Sequence, residues 1–239
     1  MAGRLIRRKV VDSTNEEAKG LIAEGAGPWT VIVAEKQIAG KGRFGRGWAS
    51  PRGGLYLSVI LREEIERTPL LSMAASLAVA DALESSNLPI AVKWPNDVQV
   101  KGAKVAGILV EGLVVGEGYW VIVGIGVNSN VPLDSLPPEL NTPATTLRHE
   151  VGAPVDNDEL LTRLLAALRV RFGGLEDPAD LIRTYGERCA TLGRDVVVQM
   201  KERTLQGRAV RVTESGALVI RRPSGEEVEV TEGTVREPV

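Results

Sequence analysis

The sequence predicts an α+β fold, a mixed and mostly antiparallel sheet packed with helices, followed by a small all-β module. Three observations carry this. Runs rich in β-branched residues recur between turn signals, and residues 98–100 and 104–111, split by Lys101-Gly102, read as a hairpin. One segment, 69–86, is apolar almost all round, the mark of a helix buried across a sheet. Composition changes near Leu192-Gly193-Arg194, after which short strands alternate with turns.

The elements follow in order. Residues 5–11 read as a first strand. Asp12-Ser13-Thr14-Asn15-Glu16-Glu17 has capping-box spacing at Ser13/Glu16 and Thr14/Glu17, so a short helix should run to about Glu24 and stop at Gly25. Residues 29–35 and 54–61 read as strands on either side of a glycine-rich cationic loop. After the apolar helix, residues 90–94 form a short strand stopped by Pro95, and 120–128 form another with glycines inside it. Interior strand glycine often marks the close approach of a ligand or another backbone. A Pro-rich loop spans 131–146, and helices follow at 157–172 and 178–190. The last strands are 196–200, 207–212, 217–220 and 227–230, a barrel-like unit of about 45 residues by its spacing. The expected division is a larger domain over 1–191 and a β domain over 192–239.

Composition bounds the chemistry. The net charge is −2 and aromatics are 4%, which gives neither the basic footprint nor the stacking surface of a nucleic-acid binder. The single cysteine, Cys189, excludes an internal disulfide framework and reads as a small buried apolar residue. The single histidine, His149, excludes a multi-histidine metal site and reads as a surface or hydrogen-bonded residue. Arg4, Arg7, Arg8 and Lys9 are followed by no long apolar run, and the apolar stretch 69–83 is broken by Ser72, Ser76 and Asp81. The expectation is a cytoplasmic protein without a membrane segment.

Three stretches carry the chemistry. In the loop Ala39-Gly40-Lys41-Gly42-Arg43-Phe44-Gly45-Arg46-Gly47-Trp48, glycines alternate with cations. Backbone N–H groups and guanidinium forks in such a loop suit an anion, yet the same composition fits a solvated connector. A Walker-type phosphate loop is excluded, because Gly40-Lys41 is followed by Gly42 and the next element is a strand. Ser13 and Thr14 fit either helix caps or site groups. Lys93-Trp94-Pro95-Asn96-Asp97 fits a hairpin corner, but that reading leaves Lys93, Asp97 and Lys104 flanking buried strands, where ions persist when paired or ligated.

Asp-Ser-Thr-Asn at 12–15, Gln37 with the Gly/Arg loop, Lys93-Trp94-Pro95-Asn96-Asp97, Lys104-Val-Ala-Gly107-Ile-Leu and Gly124-Ile-Gly-Val-Asn128 stand in a fixed order. Together they closely resemble the biotin protein ligase family, over essentially the whole chain. The resemblance implies the class II synthetase-like fold of the biotin and lipoate ligases with a C-terminal SH3-like barrel. It implies ATP and biotin as substrates, Mg²⁺ as cofactor, a biotin carboxyl carrier protein as acceptor and a homodimer. With the first motif at residue 12, it resembles the monofunctional type without a DNA-binding domain. Lipoate ligases carry an Arg-Arg-x-Ser-Gly-Gly-Gly type motif that this sequence lacks.

By resemblance, Lys104 and Arg43 are catalytic. Ser13, Thr14, Asn15, Gln37, Gly40, Arg43, Lys104, Gly107 and Gly124 match biotin-binding positions. Lys41, Arg43, Arg46, Trp48, Asn96, Lys104 and Asn128 match the adenylate side. Lys93 and Asn96 also shape the turn. Asp97 orients Lys104 or stands behind a magnesium-bound phosphate. The family loop usually reads Gly-Arg-Gly-Arg; here Lys41 replaces the first arginine, keeping the charge but losing the fork. Phe44 is expected to pack on the closed loop.

Overall fold

A computed structural model describes residues 3–64, 67–137, 143–236 and 238. Its larger part is a seven-stranded sheet built from β1 (Leu5–Arg8), β2 (Val31–Ala34), β3 (Leu55–Arg62), β4 (Ile90–Lys93), β5 (Asp97–Val100), β6 (Ala103–Val115) and β7 (Gly118–Val127), ordered β1-β2-β3-β7-β6-β5-β4. Among these strands only β1 and β2 pair in parallel, and the helix α1 (Thr14–Ala23) supplies the crossover between them. Every other neighbouring pair is antiparallel.

Helices cover both faces, which is why β3 reads as one apolar run rather than an alternation. Successive side chains leave a strand on opposite sides. Val31, Val33, Leu57, Val59, Val121 and Val123 share one core cluster with the largely buried helix α2 (Thr68–Leu83) and with α4 (Asn157–Gly173) and α5 (Pro178–Arg188). Asp81 of α2 takes two hydrogen bonds from Arg171 and one from Arg188, tying the three helices together. On the other face Ile32, Ile60 and Ile122 form a smaller cluster with Ala18 and Ile22 of α1. Each isoleucine so buried contributes about 1.5–3 kcal/mol.

The C-terminal module is a five-stranded antiparallel sheet of β8 (Asp195–Gln199), β9 (Thr204–Val212), β10 (Leu218–Arg221), β11 (Glu227–Val230) and β12 (Thr234–Arg236), ordered β11-β10-β9-β8-β12. The fifth strand, β12, is an addition to the four expected. The indole Nε1 of Trp94 donates to the Gly216 carbonyl at 3.0 Å, linking the module to the turn after β4.

Within the expected Pro-rich loop lies one turn of 3-10 helix, Leu133–Ser135; residues 138–142 of that loop are outside the described residues. The short helix α3 (Leu147–Val151) follows, which the sequence reading left out. Thr146 caps it through its hydroxyl, and five residues leave no periodicity to read. His149 is exposed on α3, and Cys189 is buried.

Candidate active site

The α1 face of the sheet changes character along the strands. Under α1 it is lined by Ile32, Ile60 and Ile122. Past the helix N-terminus the same rows continue as Ser58, Gly124, Gly126 and Gly107, in register across β3, β7 and β6. Removing side chains there opens a trough, and a cavity of about 660 Å³ fills it. Every site residue expected from the sequence lines this cavity, from Ser13 just before α1 to Asn128 after β7. Gly233, Thr234 and Val235 of the C-terminal module also line it.

One end is a neutral hydrogen-bonded floor. Gln37 Oε1 accepts from Thr14 N at 2.8 Å and Thr14 Oγ1 at 3.1 Å, while its Nε2 donates to Ser50 Oγ at 2.8 Å. Ser58 Oγ lies 2.7 Å from Thr14 Oγ1 and 2.6 Å from Asn15 Oδ1. Ser13 sits at the N-cap position of α1, but its side chain makes no capping bond, and the Thr14 hydroxyl turns to Gln37. The capping reading is thereby set aside for both residues. They are buried and face the cavity instead.

The other end is cationic. The lining holds Lys41, Arg43, Arg46, Lys93 and Lys104 against one carboxylate, Asp97. Lys104, near the start of β6, contacts Asp97 Oδ1 at 2.6 Å, and its ammonium stands 5.0 Å from the centre of the Trp48 ring. Its backbone is clamped by Pro143 and Thr145, whose O and N bond its N and O at 2.7 and 2.9 Å. Asn96 Nδ2 donates to Ile108 O at 2.6 Å, which fixes the turn after Pro95.

The Gly/Arg loop is a small hairpin rather than a free connector. Trp48 N donates to Gly40 O at 2.8 Å and Gly42 N to Arg46 O at 2.7 Å, with a one-turn 3-10 tip, Arg43–Gly45. Gly40 is required: a Cβ there would lie 2.4 Å from the Trp48 carbonyl oxygen. Trp48 lies over Gly126 and Gly107, and its buried Nε1 has no partner among the described residues. Arg43 reaches Asn96 Oδ1 at 3.5 Å and Gly233 O at 3.4 Å. Burial pushes its guanidinium below the ordinary arginine value, opposed mainly by nearby Glu232. Arg46 Nε donates back to Arg43 O at 3.2 Å. Phe44 departs from expectation. It is exposed at the tip, φ +57°, with Arg43 4.7 Å and Arg46 5.9 Å from its ring centre. Lys41 lines the cavity, and its ammonium pairs with Glu16 of α1 at 2.6 Å.

Sequence reasoning missed Ser58, Ser50, Glu111 and the β11–β12 turn. Asn15 Nδ2 donates to Glu111 Oε2 at 2.6 Å, and Lys19 donates to the other oxygen at 2.8 Å. The signal available for Ser58 was one hydroxyl inside an otherwise apolar strand.

Fold and site together present a cavity with one neutral, hydrogen-bonded end and one cationic end, under a glycine-rich hairpin loop. Residues 8–128 match the model of the biotin/lipoate A/B protein ligase family, and 191–235 match the biotin protein ligase C terminal domain. The biotin–[acetyl-CoA-carboxylase] ligase of Paracoccus denitrificans is 37% identical over 227 residues, covering 91% of this chain and 94% of that protein. The enzyme of the same name from Mycobacterium tuberculosis is 36% identical, covering 79% and 71%. A biotin protein ligase from Aquifex aeolicus, solved with biotin and ATP, superposes with a TM-score of 0.86 at 32% identity, over 98% of this chain and 99% of that one. The chain belongs to the biotin protein ligase family.

Proposed function

We infer that this chain activates biotin with ATP and passes the biotin to a lysine of a biotin carboxyl carrier protein, that of acetyl-CoA carboxylase or a related enzyme. In the first step a biotin carboxylate oxygen bonds to the α-phosphorus of ATP and pyrophosphate leaves, giving biotinyl-5′-AMP. In the second, the neutral amine of the carrier lysine bonds to the acyl carbon, AMP leaves with the electron pair, and the amine loses a proton.

The observation that carries this reading is the continuity of the cavity from Thr14, Asn15 and Gln37 to the Lys104 rim. A ureido ring supplies both donors and an acceptor for the floor. Bringing a carboxylate to a polyphosphate opposes like charges, about 4 kcal/mol at 4 Å and an effective dielectric of 20. Preorganised cations offset that repulsion most where charge develops in the transition state. Lys104, held by Asp97, is the proposed electrophilic group between carboxylate and α-phosphate. Arg43 and Arg46 are proposed to contact the phosphate and hold the loop closed. Trp48 and Asn128 line the proposed nucleotide side, and each carries a buried polar atom without a partner among the described residues, the donor Nε1 and the acceptor Oδ1. Gly107 and Gly124 give the biotin chain room. Lys41 is proposed to act through Glu16 rather than on phosphate.

Magnesium fits as an ion carried by the triphosphate. The described residues contain no cluster of three acidic, histidine or cysteine side chains, and a triphosphate-bound Mg²⁺ keeps several waters and needs few protein ligands. Its chemistry there is charge neutralisation, with Asp97 the carboxylate at hand. A homodimer working in the cytoplasm completes the reading. Among the described residues no helix is long and apolar enough to cross a membrane.

The test is incubation with biotin, ATP, magnesium and a purified carrier domain, followed by mass measurement of the carrier. One added biotinyl group is the expected result. No mass gain together with no pyrophosphate release overturns the reading, and transfer of octanoate in place of biotin reassigns the chain to lipoate-type chemistry.

A further inference from the structure

Glu111 lies in the middle of β6, 26% exposed, on the α1 face of the sheet. A lone carboxylate there has no part in the activation chemistry. Its two oxygens are both engaged, one by Asn15 Nδ2 and one by the Lys19 ammonium. A carboxylate accepts and does not donate, so only the NH₂ end of the Asn15 amide can face it. The Asn15 carbonyl oxygen is then forced to the opposite side, towards Ser58 and over Gly124, where a Cβ would come within 2.3 Å of it.

On that side the hydroxyls serve each acceptor once. Ser58 lies 2.6 Å from Asn15 Oδ1 and 2.7 Å from Thr14 Oγ1, and Gln37 Oε1 already takes the Thr14 N–H at 2.8 Å. With Ser58 donating to Asn15 and Thr14 to Ser58, the Asn15 carbonyl oxygen has used one of its two lone pairs. The other is open to a donor from outside the protein, because Glu111 keeps the NH₂ end turned away.

We propose that Glu111, backed by Lys19, is a positioning residue that locks the Asn15 amide with its oxygen towards the cavity, so that the floor selects a ligand presenting an N–H donor. The inference rests on the biotin reading above, in which that donor is a ureido N–H. It adds a residue that touches no substrate and acts through Asn15 alone.

The experiment exchanges the polarity of the pair. Biotin affinity is measured by calorimetry, and biotin KM and kcat by pyrophosphate release, for wild type, Glu111→Ala, Asn15→Asp and the double variant Glu111→Gln/Asn15→Asp. The last two are isosteric with wild type, so they report even where the alanine variant folds poorly. In Glu111→Ala the amide is free to turn, and biotin KM rises about tenfold with kcat within about threefold. Asn15→Asp sets two carboxylates against each other and weakens biotin at least about thirtyfold. In the double variant the amide introduced on β6 donates to the new carboxylate on α1, which again shows an oxygen to the cavity, and affinity returns to within about threefold of wild type. An unchanged biotin KM in Glu111→Ala, or a double variant no better than Asn15→Asp, overturns the proposal while leaving the enzyme reading intact. A wild type that neither binds biotin nor releases pyrophosphate overturns both.

Discussion

The two ends of the cavity are built on different principles. The floor at Thr14, Asn15, Gln37 and Ser58 is neutral and cross-bonded at 2.6–3.1 Å, with Thr14, Asn15 and Ser58 buried and Gln37 half-buried. The rim at Lys41, Arg43, Arg46, Lys93 and Lys104 is cationic, and three of its five members sit on one hairpin loop, where the Arg43 guanidinium makes contacts as long as 3.4–3.5 Å. The difference matches the tasks. A neutral ring is recognised by fixed donors and acceptors, whose misplacement leaves buried polar groups unpaired at about 1–3 kcal/mol each. A reacting anion is served by charge that moves in once the ligand has arrived. Lys104 joins the two, a cation on the sheet, like Lys93, rather than on the loop.

Removing Lys104 tests the rim most severely. In Lys104→Ala the kcat for pyrophosphate release should fall about 10²–10³-fold, the size expected for deleting one preorganised group at a developing charge. Biotin affinity, set by the floor, should change by less than about tenfold. Near-normal pyrophosphate release would take Lys104 out of its role and shift the chemistry to the loop arginines.

The floor is tested at Gly124. A methyl group there lies 2.3 Å from Asn15 Oδ1, and Asn15 cannot yield because Glu111 and Ser58 hold both ends of its amide. Gly124→Ala should therefore raise biotin KM about tenfold or more, roughly 1.4 kcal/mol, with kcat at saturating biotin little altered. A fall in kcat at unchanged KM would mean that floor and rim are not separable in this way.

How much of this was legible in the chain differs between the same two regions. The rim declared itself in the alternation of glycine and arginine at 40–47 and in a lysine beside a buried strand, because charge in an apolar setting stands out. The sheet and its main helices were equally readable, since Val31–Ala34, Leu55–Arg62 and Thr68–Leu83 are apolar runs of distinct length and residue type. The floor was half hidden. Ser58 and Glu111 look like ordinary polar residues of a strand until strand pairing sets them beside α1, which begins more than 40 residues earlier. The Gly233 carbonyl reaches Arg43 only through packing of the C-terminal module against a loop 190 residues away. Contacts of that kind follow from topology and leave no local pattern.

Lys41 gives the finest test of where the rim ends. Its ammonium, 46% exposed, pairs with Glu16 at 41% exposure, and Glu16 also holds Lys19. Lys19 first and Lys41 second keep the Glu16 carboxyl below its ordinary value. The pairing is therefore complete above the usual carboxylate range and is lost as pH falls through the lowered value. An exposed pair of this kind contributes about 0–1 kcal/mol. If Lys41 only steadies the loop against α1, Lys41→Ala should change the lifetime of the bound adenylate by no more than about threefold, and high salt should erase the difference by screening the pair in wild type. A loss of thirtyfold or more that persists in high salt would place the Lys41 charge on the phosphate itself, and the rim would then extend to the N-terminal arm of the hairpin.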